Sequence, residues 1–401
     1  MDIQIAAKSI KNYKKVELGK ITRKMNILKY MKKISSEIEQ NKNSLFSYPV
    51  SRQKKYIEHF PEPKDDIERS YYQYCCQMKL KGSISFMLNI VSLPMLIIYY
   101  FKSNSECEDG VKYDAVFFSN GVTESIIPNE LRKEYSQWKN LVQSGENLTQ
   151  KDKHFFKEIL RRYPFSWHFL LKNLIKIRFY SYITEHYRPN AIIVCGEYSF
   201  TSSLLTAYCE KNKITHINVM HGEKLYYIRD SFFHFHQCYI WNEYYRKIFE
   251  LLRADTNQFI VKTPPSMKIY NRDHVCKQVN YTYYLAAENR ERMEIIAKCM
   301  RSLISKGESV AIRPHPIYSD LNLVREIFND MDIEEELGIE QSILRTEHAI
   351  SGYSTVLNQA YHSNVKIVVD DVSDYEKYKT LFDARYIMLN VEHQLLSEVI
   401  K

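Results

Sequence analysis

Residues 190–222 read NAIIVCGEYSFTSSLLTAYCEKNKITHINVMHG, and this stretch decides the fold class. AIIVC (191–195) is an unbroken apolar run, the pattern of a strand covered on both faces. Polar GEYSFTSS interrupts it, residues 202–211 have the spacing of a helix, and THINVM (215–220) is a second apolar run ending at His221-Gly222. Strand, loop, helix, strand is the unit of a parallel α/β sheet.

The pattern extends in both directions. Upstream, YDAVFFS (113–119) reads as a short buried strand ending at the turn signal Asn120-Gly121. Residues 130–187 read as helical throughout, with breaks near Gly145 and Pro164. Downstream, Lys262-Thr263-Pro264-Pro265 stops both helix and central strand. A second α/β series follows, with strands at 281–287, 309–313, 348–351 and 366–371. Its helices are expected at 290–305, 322–329 and from Ser354 onward, the first with Met293, Ile296, Ala297, Met300, Leu303 and Ile304 inward. The expected organisation is a helical N-terminal extension (1–110), a first Rossmann-like domain (111–263) and a second (264–401), the two domains facing a cleft.

Composition narrows the function. The ten glycines are so dispersed that no G-x-G-x-x-G, P-loop or G-x-S-x-G can be written, which removes three common nucleotide and nucleophile motifs. Eight cysteines show no C-x-x-C and no zinc spacing, so free thiols and a reducing cytoplasm are expected, with no metal and no cofactor. Of the net charge of +8, residues 1–60 carry 14 basic against five acidic side chains, leaving the rest near neutral. Such an arm suits an anionic membrane surface; a nucleic acid is not expected, because no nucleic-acid module is recognisable. SISFMLNIVSLPMLIIYYF (83–101) holds no charge. Its Asn89, serines and Pro94 fit a buried or interfacial helix better than a membrane span, and packing on the first α/β half would put Ile90, Leu93 and Ile97 in a protein core.

Ligands of open α/β sheets sit beyond the carboxyl ends of the strands. Here those ends carry Asn120-Gly121, Gly196-Glu197, His221-Gly222-Glu223, Arg313-Pro314-His315-Pro316 and Ser351-Gly352-Tyr353-Ser354-Thr355, with Glu288 just past the strand at 281–287. Two prolines hold His315 in place, and an imidazole beside Arg313 suits a phosphate. Ser351, Gly352, Ser354 and Thr355 precede a helix whose free N–H groups favour an anion, although Ser354 also fits a simple N-cap. His221 can take a proton from an acceptor hydroxyl, with Glu223 or Glu197 as the next candidates. His234 and His236 alternate with aromatics and read as one face of a strand rather than metal ligands; Asp330-x-Asp332 reads as a solvated helix end.

A strand ending in His-Gly, then Arg-Pro-His-Pro, then Ser-Gly-Tyr-Ser-Thr before a helix resembles the bacterial surface-polysaccharide transferases of the GT-B fold. These include capsule and lipopolysaccharide sialyltransferases, Kdo transferases and the CDP-glycerol glycerophosphotransferases of teichoic acid synthesis. The resemblance implies that His315, Pro316, Ser354 and Thr355 hold the phosphate of a cytidine nucleotide, with CMP-sialic acid or a related CMP-ulosonic acid as donor and a glycan or lipid-linked glycan as acceptor. The sialyltransferase acidic motif is replaced here by Met220-His221-Gly222, closer to the polyol-phosphate and Kdo types, which moves the base role to His221. Glu108-Asp109-Gly110 matches the acidic motif literally but precedes the first strand. A CDP-activated polyol-phosphate transferase and a non-enzymatic scaffold at the membrane surface are the competing readings, and the expected location is the cytoplasm, at or near the inner face of the cell membrane.

Overall fold

The apolar runs are buried because helices cover both sides of the sheets they form. The computed structural model describes residues 48–106, 110–119, 121–269 and 277–401. Most of the basic arm, Asn120 and the Glu108-Asp109 pair lie outside the described residues. Three helices come first: α1 (Val50–Ile57), α2 (Asp66–Lys81) and α3 (Ile84–Phe101). The first sheet consists of β1 (Ala115–Phe118), β2 (Trp138–Leu141), β3 (Ala191–Val194), β4 (Thr215–Val219), β5 (Gln237–Ile240) and β6 (Phe259–Val261). Between these strands run α4 (Asn129–Glu134), α5 (Gln150–Arg162), α6 (Trp167–Tyr187), α7 (Ser202–Lys211) and α8 (Glu243–Leu251).

The second sheet consists of β7 (Val279–Tyr284), β8 (Val310–Arg313), β9 (Asp332–Ile333), β10 (Thr346–Ser351), β11 (Lys366–Val369) and β12 (Gln394–Leu395). Its helices are α9 (Arg290–Ser305), α10 (Leu321–Ile327), α11 (Ile339–Arg345), α12 (Thr355–His362), α13 (Tyr375–Asp383) and α14 (Leu396–Val399). All pairings in both sheets are parallel. The spatial orders are β2-β1-β3-β4-β5-β6 and β12-β11-β10-β7-β8-β9. The second is the doubly wound Rossmann order, with its switch point between β7 and β10; in the first sheet the winding reverses between β1 and β3. Two such α/β halves make the architecture GT-B-like, and residues 49–401 form one compact unit.

Each half has its own core. In the second, α9 buries Met293, Ile296, Ala297, Met300 and Leu303 against Ile312, Ile350 and Val368, while Ile304 faces out. In the first, Ala115, Phe117, Ile193 and Ile217 pack with Ile126, Ile127 and Leu131.

Three expectations need correction. Residues 130–187 are not helical throughout: Trp138–Leu141 is a strand parallel to β1, because pairing with that sheet edge overrides local helix preference. Asp114 sets the turn into it, accepting from Ser136 N, Ser136 Oγ and Gln137 N. The helices resume at α5, where Thr149 and Asp152 form a capping box. His234 and His236 do lie on one side, their ring centroids 6.5 Å apart and alternating with the buried Phe233 and Phe235, but they are not in a strand, because β5 begins only at Gln237. His234 Nδ1 lies 2.7 Å from Asp66 Oδ1, and His236 Nδ1 accepts from His216 N. Third, of the two readings open for the 83–101 segment, core packing does not hold for Ile90 and Ile97 of α3, which are 48% and 53% exposed; Ser92 and Leu96 are the buried positions.

The N-terminal helices are built into the first half. Gln53 Oε1 accepts from Ile228 N, Ser70 donates to Phe200 O, and Gln73 and Gln77 donate to the carbonyls of Glu197, Tyr198 and Arg229. Side chains of α1 and α2 thus satisfy the backbone of the loops that leave β3 and β4. Behind them, α6 carries the fully buried Arg178, which donates to Glu146 Oε2 (3.0 Å), Ser103 O (2.8 Å) and Tyr99 O (3.4 Å), pinning the end of α3. Glu146 would keep Lys102 if Arg178 were removed, but the carbonyls of Ser103 and Tyr99 would lose their donor, at about 1–3 kcal/mol. Arg178→Ala should therefore lose stability on that scale in urea unfolding, whereas Arg162→Ala, which removes an exposed pair, should lose under about 1 kcal/mol. Equal losses would show that Arg178 does not hold this corner.

Candidate functional site

The second-half crevice opens at the switch point between β7 and β10. Ser351 Oγ donates to Tyr284 O at 2.9 Å, tying the two strand ends together. The loop after β7 turns on Glu288, whose carboxylate accepts from Ala286 N (2.6 Å) and whose pKa is raised by burial. Lys377, at the start of α13, is its nearest counter-charge, and a side chain at Gly352 would begin 4.0 Å from Lys377 Nζ. Burial lowers the pKa of Lys377, and Arg292 is ion-paired with Asp374 beside it.

His315 is held as the two prolines imply, with a further consequence. Its Nδ1 accepts from Ile317 N (3.1 Å) and Tyr318 N (3.3 Å), which fixes the neutral tautomer with hydrogen on Nε2. Partial burial also depresses its pKa. A neutral ring with one outward N–H can donate to a phosphate oxygen but has no second proton to give. Ser319 Oγ bridges the loops, accepting from His315 N and donating to Ala286 O. Arg313 faces elsewhere: its guanidinium donates to Glu334 O at 3.4 Å and lies 3.9 Å from Glu334 Oε2, toward β9. Ser354 caps α12 by accepting from Val356 N at 3.2 Å, and Thr355 opens the helix.

In the first half, Gly196 N donates to Asn218 Oδ1 and Gly196 O accepts from Ser202 Oγ. A Cβ there would meet Ser202 Oγ at 3.0 Å, so only glycine fits without a shift. Beyond β4 the chain turns at Gly222 with φ +73°, a conformation that favours glycine. His221, just before it, is exposed and makes no hydrogen bond among the described residues; burial of part of its ring and the charge of Lys224 lower its pKa, against an opposing pull from Glu197. At neutral pH it is a free base. Glu197 is not open to an acceptor, because it is buried and ion-paired with the buried Lys224. Gly121, after β1, has φ +91° and its N–H donates to Ser119 Oγ.

The halves meet at Glu223. Its carboxylate accepts from Tyr245 Oη (2.7 Å) on α8 and from Asn358 Nδ2 (2.8 Å) on α12, and its backbone carbonyl accepts from Tyr353 Oη (3.4 Å). Asn358 also donates to Tyr245 Oη, closing a triangle. Tyr226 N donates to Ala384 O at 2.7 Å in a second contact between the halves. Burial pushes the Glu223 carboxyl up to about 7, although both donors favour its charge.

The structure thus joins Glu223 to Tyr353 and Asn358, with His221 two residues before it in the same loop, and sets His315, Ser351, Gly352 and Glu288 in the loops after β7, β8 and β10. It gives Arg313 and Glu197 partners of their own. Lys224 adjoined the quoted motif and was open to detection, but Tyr245 and Asn358 look like ordinary helix residues in sequence. Lys377 is hidden for the same reason. A cavity of about 580 Å³ lined by Tyr361, His362, Lys366 and His393 lies at the opposite, N-terminal ends of β11 and β12, away from this chemistry. No group of three or more His, Cys, Asp or Glu suited to a metal occurs among the described residues.

Glu223 generates a pH prediction. Between 4.5 and about 7 the folded protein keeps a proton on this carboxyl that the unfolded chain has released, so its contribution to stability falls as pH rises through that window. Glu223→Gln cannot titrate. The melting-temperature difference, wild type minus Glu223→Gln, should shrink from pH 4.5 to 7.5 and then level off; a constant difference would mean that Glu223 titrates below the window.

No protein-family model matches the chain, and no curated protein sequence matches it. Among solved structures it is similar to UDP-GlcNAc 2-epimerase of Methanocaldococcus jannaschii, at TM-score 0.40 and 16% identity over 69% of this chain and 93% of that one. It is also similar to the wall teichoic acid polymerase TagF, at TM-score 0.40 and 12% identity over 82% of this chain and 88% of that one. S. aureus MnaA, solved with UDP, matches at TM-score 0.41 and 11% identity over 65% of this chain and 79% of that one. These are likenesses of fold.

Proposed function

We propose that the chain is a glycosyltransferase of bacterial surface-polysaccharide assembly, acting in the cytoplasm and moving a sugar from a nucleotide-activated donor to an acceptor hydroxyl. One observation carries this reading: Glu223, two residues past His221, binds Asn358 on the helix whose N-terminus Ser354 and Thr355 open. This contact between the loop of His221 and α12 supports a reading in which an imidazole base and an anion-favouring helix end serve one site at the junction of the two halves. In the proposed step the acceptor oxygen attacks the sugar carbon, His221 takes the acceptor proton, and the sugar–phosphate bond breaks. The charge that develops on the phosphate is met by the Nε2–H of His315 and the first N–H groups of α12. Lys377 and Arg292 are further cations on the donor side.

The cytidine nucleotide, and CMP-sialic acid or a related CMP-ulosonic acid in particular, rests on the motif resemblance alone. A histidine at the Met220-His221-Gly222 position supports a second reading, transfer of a polyol phosphate from a CDP-activated donor, in which a phosphorus–oxygen bond breaks instead. Labelled donors separate the two by whether phosphate appears in the product.

Two measurements test the proposal. Cytidine nucleotides should raise the melting temperature, since a ligand of the native state stabilises by mass action, and His315→Ala should weaken that shift. Stabilisation by UDP or GDP alone would reject cytidine; no stabilisation by any nucleotide would reject the transferase in favour of a scaffold. His221→Ala should keep the shift but lose roughly 10²–10⁴ in turnover, the usual cost of removing a general base. Unchanged turnover would remove His221 from the base role.

A further inference from the structure

Helix α3 is inside out. Its polar residues face the protein: Asn89 donates to Phe165 O (2.9 Å) and accepts from His168 N (3.1 Å), and the buried Ser92 donates to Leu88 O (2.6 Å). Its outer face is apolar throughout, with Ile90, Val91, Ile97 and Ile98 about half exposed or more, Phe86 70% exposed and Phe101 79% exposed. Phe165, in the turn before α6 that Asn89 binds, is 78% exposed and extends the same patch. Contiguous exposed apolar surface of this kind marks a site of contact, since scattered exposed residues would be interrupted by polar ones.

The segments that carry the patch hold no acidic residue. No Asp or Glu occurs from Ser70 to Ser105, nor from Pro164 to Thr184, so α3, the end of α2 and most of α6 present lysines only. Lys81 and Lys172 both depress the pKa of His168, after burial itself, which places two cations together at the N-terminal end of α6. Glu146, near the other end, is already paired with Arg178 and Lys102. A second copy of the chain would set this basic rim against another of the same sign, whereas an anionic lipid surface complements it.

We infer that α3 is a monotopic membrane anchor, lying in the interface of an anionic bilayer with Phe86, Ile90, Ile97, Ile98 and Phe101 among the acyl chains and Lys81 and Lys172 at the head groups. The helix passes the length and composition test for a span. It cannot cross, because α6 lies along it and is itself buried in the first half, and Arg178 fastens its end to that core. Only Gly82 and Ser83 separate α3 from α2, whose Gln73 and Gln77 hold the backbone of Glu197, Tyr198 and Arg229. The bilayer contact is thus one helix away from the loops after β3 and β4. This inference does not depend on the transferase reading.

Co-sedimentation of the full chain with phosphatidylglycerol–phosphatidylcholine vesicles, without nucleotide, tests it. The wild type should bind these vesicles. The double variant Ile90→Asp, Ile98→Asp should bind at least tenfold more weakly with an unchanged melting temperature, because both side chains are exposed. Lys81→Glu with Lys172→Glu should lower binding to the mixed vesicles severalfold and leave binding to pure phosphatidylcholine unaltered. Wild-type binding by the aspartate variant, which retains the basic residues 1–47, would assign attachment to that stretch and overturn the inference. So would a lack of vesicle binding by the wild type, or a dimer in sedimentation velocity that the aspartate variant converts to monomer without any vesicle binding.

Discussion

The contact on which the site depends is the hydrogen-bonded triangle of Glu223, Tyr245 and Asn358. Each sheet has its own hydrophobic core. What neither half can make alone is a contact between the loop after β4 and α12, and Glu223 makes it with its carboxylate. An enclosed carboxyl is a costly way to join two surfaces, since burial opposes its charge. Directional hydrogen bonds compensate by admitting one arrangement, which an apolar contact of the same size would not.

Much of the fold was readable because parallel strands buried on both faces leave an unmistakable trace. AIIV, KIVV and the helical spacing of Arg290–Ser305 have one consistent interpretation each, and their boundaries in the structure lie within a residue or two of those expected. Where the reading failed, tertiary contacts had overruled local pattern. WKNL at β2 has no strand signature of its own and is a strand only because the edge of β1 is available to it. The Phe233–His236 stretch alternates like a strand and keeps both histidines on one side, yet it precedes β5, and the two rings bind Asp66 and the backbone of His216 instead of facing solvent together.

The site was readable to the extent that it lies at strand ends and carries glycine, proline or histidine. His221, His315 and Ser354 stand out as candidates in the sequence for that reason. The partners that give them their states were not, because Asn358, Tyr245 and Lys377 occupy helix positions where any polar residue would serve the pattern equally well. Arg313 shows the converse: two residues before His315, it is the last residue of β8 and leans toward Glu334, while His315 lies beyond the strand in the turn after Pro314.

Burial of part of the ring is the first reason that His221 is held toward its neutral form, and the buried Lys224, paired with Glu197, is the second. Pairs of this kind add little net stability, because desolvation offsets most of the attraction. Their placement matters more. Burial and Asp230 act on Lys224 together with Glu197, and the outcome is a lysine held firmly in its charged form three residues from His221. That fixed positive charge disfavours imidazolium at His221, while Glu197 only partly opposes it. At His315 the same neutral state is reached by different means, through two backbone N–H groups donated to Nδ1. One ring is therefore free to accept a proton and the other is committed to donating a hydrogen bond, a difference that follows from partial burial and Lys224 at His221 and from the Pro316-Ile317-Tyr318 turn at His315.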